Sequence, residues 1–177
     1  DMELKNYPPG SAGHKAFITW RKTRISQFLS KLRAEIKRLK PEITITAVVV
    51  PPNQIDSKGQ DWYTWLEEDY VDAVMPLLYS KEIKPALEEI IKKSPVNAPI
   101  FYALDAQTNP PELVVEQIHL LQSRGAKGVT LWYTGKIRDD LPLLKATVFK
   151  DPVKPLIPFK GPVVYIPATA TSHNHPP

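Results

Sequence analysis

Few side chains in this sequence stand where they could do chemistry, and the clearest is a carboxylate. Asp105 closes the run IFYALD, so a short apolar strand would deliver one acid at its exit. Two roles are open there: facing a substrate, or capping the turn or helix that follows. Asp61 stands just before the run WYTWLE, where it either caps a helix beginning at Trp62 or reaches a ligand from its loop. Asp72 precedes the apolar part of its own run and belongs to the start of a strand, where a stabilising role is expected. Glu67, Glu68 and Asp69 read as solvated. Other chemistries are poorly supplied. The chain has no cysteine, which removes disulfides, thiolate metal sites and thiol nucleophiles. His14 and His119 are isolated, and there is no Ser-His-Asp grouping, phosphate-cradling glycine loop or HExxH pattern. His173 and His175 fall in a polar tail and read as solvated, so neither a metal site nor a cofactor is expected.

These residues must be positioned by a regular alternation of elements. From Phe17 to Leu39, the residues Ile25, Phe28, Leu29, Leu32, Ile36 and Leu39 recur at helical spacing, and Pro41 stops the helix. Ile43 to Val50, ITITAVVV, is β-branched and nearly continuous, which predicts a strand covered on both faces. A polar loop through Gly59 leads to a brief helix over Trp62–Leu66, then to an apolar strand from Val71 that ends at Pro76 to Tyr79. A helix over 81–93, a strand over 100–104, a helix over 112–123, a buried strand over 129–133 and a last helix over 139–149 complete the series. Residues 1–15, with Pro8, Pro9, Gly10 and Gly13, are expected to form a loop. Alternating helix and strand with short connections predicts an α/β fold with a parallel sheet.

Length and composition set limits. At 177 residues and 42% hydrophobic, the chain can bury one ordinary core. It is too short for a complete eight-stranded barrel, which takes roughly 200 residues or more. The division expected is a folded unit over 1–150 and a tail or linker over 151–177, which holds 7 of the 19 prolines. No stretch approaches the ~20 apolar residues of a membrane span. The net charge of +4 comes from a basic first helix, from Lys15 to Lys40, without the aromatic and glycine punctuation of a nucleic-acid surface. It reads as a solvated face, and no nucleic-acid partner is expected.

Three pieces carry a resemblance: FITWRKTRISQFLSKLRAEIKRLKPEITITAVVV, QDWYTWLEEDYVDAVMPLLY and GAKGVTLWY. They resemble the bacterial family 10 glycosyl-hydrolase-like proteins, a group assigned to glycoside hydrolysis and common in bacterial envelopes. In that family a Trp-Arg helix precedes the fifth barrel strand and an Asp-Trp-x-x-Trp helix the sixth. The sixth strand runs Val/Ile-Asp-x-x-x-Pro-x-x-Tyr. The matching residues here are Trp20 and Arg21; Asp61, Trp62 and Trp65; and Val71, Asp72, Pro76 and Tyr79.

The resemblance implies the C-terminal half of a (β/α)8 TIM barrel: four parallel strands alternating with helices, plus a Pro-rich C-terminal tail. The family's first four strands and its Asp-Tyr-x-Arg-Tyr-Pro motif are not in this sequence. The partner implied is therefore a missing N-terminal half or a second copy of the chain. The activity implied is hydrolysis of glycosidic bonds in a polysaccharide or envelope glycan, at an extracellular, periplasmic or cell-envelope location. Glycosidases usually use two carboxyl groups about 5 to 10 Å apart. Asp105, at the place of the seventh strand, is the catalytic candidate as a stabiliser of the charged transition state. Aromatic rings suit the C–H face of a sugar, and polar neighbours suit its hydroxyls. Asn53, Asp61, Tyr79, Trp132 and Arg21 are the substrate-binding candidates. The fifth strand exits in PPNQ without an acid, which favours the alternative of a non-catalytic glycan- or protein-binding module or subunit.

Overall fold

The computed structural model describes residues 7–132 and 134–151. The Pro-rich tail, His173, His175 and Tyr133 lie outside the described residues. The order is α1 (Ala12–Leu39), β1 (Thr46–Val49), a 3-10 turn (Pro52–Gln54), α2 (Ile55–Lys58), α3 (Trp62–Glu67), β2 (Ala73–Leu78), α4 (Lys84–Lys93), β3 (Tyr102–Asp105), α5 (Pro111–Ser123), β4 (Val129–Trp132) and α6 (Thr134–Thr147).

The strands form one parallel sheet in the order β1-β2-β3-β4. Neighbours in sequence are neighbours in space, with no reversal of strand order. That is the winding of consecutive units of a β/α barrel rather than of a doubly wound sheet. The register sorts the side chains into two faces. Ala47 pairs with Val74, Val49 with Pro76, and Leu78 with Leu104, so these residues face the helices. Val49, Val74, Leu78 and Leu104 are fully buried there with Leu87, Ile90, Ile118 and Leu121 of the helices. Val48 pairs with Met75, Leu77 with Ala103, and Ala103 with Thr130 on the opposite face, where the Thr130 hydroxyl lies 3.6 Å from the Met75 sulfur.

That second face is exposed along its flanking strands, while Ala103 and Asp105 of β3 are buried on it. Val48 is 56% exposed and Trp132 53%, which corrects the expectation that the first and last strands are covered on both sides. β-Branched and aromatic residues report that a strand wants burial, but not whether a second layer is there to supply it.

Other boundaries also move. α1 starts at Ala12, within the stretch expected to be loop, because Ser11 caps it: the Ser11 hydroxyl accepts from the His14 N–H at 3.2 Å, a contact worth about 1 kcal/mol. The expected loop after β1 is instead a 3-10 turn and α2, closed by Gly59 in a left-handed conformation at φ 70°. α6 begins at Thr134, five residues before the predicted start.

Pro76 does not end β2 but sits inside it. The Val74 N–H and C=O point toward β3, bonding to Pro99 and Phe101, and Pro76, two residues on, faces the same way without a donor. The ladder skips a rung there and resumes where Leu77 pairs with Ala103.

The two tryptophans of α3 have structural tasks. Trp62 is fully buried and donates its indole N–H to the Val50 carbonyl at 3.1 Å, while the Val50 N–H goes to the Gln60 side chain at 2.7 Å. The chain leaving β1 is thus held without a neighbouring strand. Trp65 donates to the Ser26 hydroxyl at 2.8 Å, tying α3 to α1. At the other end of the sheet Asp72 receives Arg33 at 2.8 Å, Lys37 at 3.1 Å and the Ile45 N–H at 2.7 Å. Burial alone would raise this carboxyl, but the Ile45 N–H and the two cations outweigh it and hold it below the usual carboxylate value. Asp72 therefore joins α1, β1 and β2, as its place at the start of a strand implied.

Candidate functional site at the strand exits

β3 ends in Asp105, which is buried, and the chain then turns back over it. One carboxylate oxygen accepts the N–H groups of Gln107 at 2.8 Å and Thr108 at 3.0 Å, and the other accepts the Thr108 hydroxyl. This is the turn-capping geometry that an Asp followed by Thr three residues later allows. The carboxylate is thereby fixed in place by the turn that follows β3.

Register puts aromatic residues on both sides of it. Asp105 pairs directly with Trp132 of β4, and the Ala106 N–H donates to the Trp132 carbonyl. Leu78 pairs with Leu104, so Tyr79 leaves β2 beside Asp105. The Tyr79 phenol is pushed above its ordinary value first by burial and then by the charge of Asp105. Tyr79, Asp105 and Trp132 thus form a row across three neighbouring strands, on the second face of the sheet and at the C-terminal edge. Beside Tyr79, Asn53 stands on the 3-10 turn after β1. The two share a cleft of about 600 Å³ with Pro51, Gln54, Ser80 and Glu82.

The cleft is held from behind. Gln117 of α5 is buried and donates to the carbonyls of Ser80 at 3.1 Å and Lys81 at 3.0 Å, fixing the loop after β2. Glu82 accepts the Lys84 N–H at 3.0 Å. None of Thr108, Gln117 and Glu82 was singled out by sequence. The only signal for Thr108 was its spacing from Asp105, and Gln117 serves backbone carbonyls that carry no sequence mark.

Arg21 and Asp61 lie away from the row. The Arg21 guanidinium donates to the carbonyls of Asp56 at 2.9 Å and Ser57 at 2.7 Å, satisfying the C-terminal end of α2. Asp61 occupies the N-cap position of α3, yet its carboxylate makes no capping bond and instead faces Lys22 at 3.3 Å. It lines a second cleft, between α1 and α3. Among the described residues, no group of three or more His, Cys, Asp or Glu side chains could hold a metal ion. No described helix is long and apolar enough to cross a membrane.

This row of acid and aromatics sits on consecutive parallel strands, and the stretch that leads into it matches a known sequence family over residues 2–98, that of glycosyl hydrolase-like 10. The chain belongs to the glycosyl hydrolase-like 10 family. The match runs from before α1 through α4 and includes Asn53, Asp61, Tyr79 and Arg21. Asp105 and Trp132 lie beyond it, so their assignment rests on register with Tyr79. No curated protein matches the chain.

Proposed function

We propose that the row of Tyr79, Asp105 and Trp132, with Asn53 beside it, is the C-terminal half of a carbohydrate site in a glycoside-hydrolase-like barrel. The activity proposed is cleavage of glycosidic bonds in a polysaccharide or cell-envelope glycan, outside the cytoplasm. The observation that carries this reading is the shared register: a fixed carboxylate between two aromatic side chains, at the strand edge where parallel barrels hold their ligands.

A sugar would lay its C–H face on Trp132 or Tyr79 while its hydroxyls meet Asp105 and Asn53. As the glycosidic bond breaks, positive charge grows on the ring, and a fixed anion lowers the energy of that state more than that of the bound sugar. This is the role we assign to Asp105. Proton transfer needs a second carboxyl group, and among the described residues the row contains none. We therefore assign the acid and base to the strands that complete the ring. The folded unit over 1–150 is the part we assign to the barrel.

The test is turnover and binding of soluble oligosaccharides by the protein with its ring completed, and by Asp105→Asn in that same completed form. Loss of turnover with retained folding supports the role. Unchanged turnover removes Asp105 from the mechanism. The second reading, a non-catalytic glycan- or protein-binding module, is favoured by that lone carboxylate, and it predicts binding without cleavage in the completed protein.

A further inference from the structure

A second cleft, larger than the one beside Tyr79, lies on another side of the described residues. It opens between α1 and the segment from α2 to Tyr70, with a volume of about 740 Å³. α1 leads into β1, so the N-terminal half of α1 lies at the end of the sheet where the strands exit. α2 and α3, which begin after β1 exits, start at that same end. The cleft and the row therefore open at one end of the fold.

The chemistry of its wall is specific. Lys22 is held between Asp56 and Asp61, at 3.3 Å from each, and Lys15 on the same wall supplies the second positive charge. The rest is dominated by hydroxyl and amide groups: Thr19, Thr23, Ser26, Gln27, Thr64 and Tyr70. Ser26 is already oriented by the Trp65 indole. Asp61 reaches this wall because it forgoes the helix cap its position would allow. A balanced, hydroxyl-rich wall with a tyrosine ring suits a neutral polyhydroxylated ligand. It suits an isolated anion or cation poorly, since Lys15 and Lys22 on this wall match Asp56 and Asp61 in charge.

Resting on the carbohydrate reading above, we infer that this cleft is a second glycan-binding site, which holds a more distant part of a long chain whose other end lies on the row. Thr19 and Thr23 are exposed on α1, so Thr19→Trp and Thr23→Trp fill the cleft without touching the core. The experiment is calorimetric titration of the whole protein with xylo-, cello- and chito-oligosaccharides of two and six sugars, using these variants and Trp132→Ala. The expected result is that either tryptophan weakens binding of the six-sugar ligand by about tenfold, the scale of one lost contact region, and leaves the two-sugar ligand unaffected. Lys22→Ala, which frees both acids, should do the same by another route. If Trp132→Ala weakens the six-sugar ligand but none of the cleft variants does, the second site is overturned and the row stands. If no oligosaccharide of either length binds, the carbohydrate reading fails and takes this inference with it.

Discussion

The two faces of the sheet are built from similar residues and end in different states. On the helix side, Val49, Val74, Leu78 and Leu104 are shut away beneath α3, α4 and α5. On the other side, Val48, Tyr79 and Trp132 are exposed and Met75 and Leu77 half-buried. The closed face holds this unit together. The open one carries the candidate chemistry, and its apolar side chains mark where further structure or ligand belongs.

The largest effects should separate the faces by stability. Trp62→Ala loses a fully buried ring and the indole hydrogen bond to Val50, and should cost about 3–5 kcal/mol in urea denaturation. Leu104→Ala should cost about 2–5 kcal/mol on the same face. Val48→Ala, on the open face, should cost well under about 1 kcal/mol. If Val48→Ala proved as damaging as Leu104→Ala in the isolated chain, that face would be covered after all.

The open face should instead separate by function. Trp132→Ala should reduce oligosaccharide affinity by about tenfold, the value of one aromatic–sugar contact, with the unfolding midpoint nearly unchanged. A smaller effect tests the sheet's far end. The Asp72 carboxyl is held below its ordinary value, so its contribution to stability is present above about pH 4, the unfolded value, and is lost as pH falls through the lower folded value. Asp72→Asn should lower stability near neutral pH by about 1 kcal/mol and flatten that acid limb. The smallest effect is spectroscopic. Asp105→Asn removes one of the two causes that raise the Tyr79 phenol, so tyrosinate absorbance should develop at lower pH in the variant.

Much of the fold was legible because two periods alternate along the chain. The β-branched run before Pro51 and the apolar run through Leu78 announce strands, and the spacing of Ile25, Leu29 and Ile36 announces α1. What sequence could not supply is what lies opposite a strand, which is why β1 and β4 were expected to be covered. The cluster Pro51-Pro52-Asn53 reads as a loop, although proline at the first helical positions favours the 3-10 turn and short helix found there. At the site, register brings Tyr79, Asp105 and Trp132 together, and pairing is a tertiary property. The Trp-Arg motif pointed to Arg21 without disclosing its task, since its partners are main-chain carbonyls of α2.

The sheet is flanked by a helix at each end: α1 runs in before β1, and α6 runs out after β4 against α5. A ring of alternating strands and helices seats one helix at each junction between strands. Two identical copies would bring two helices to every seam between them, one leaving and one arriving, for a place that holds one. On the barrel reading proposed above, a piece that closed the ring would start and finish in strand, with its helices only in between. Solution mass is the simple check, since the isolated chain should not settle into a stable symmetric pair.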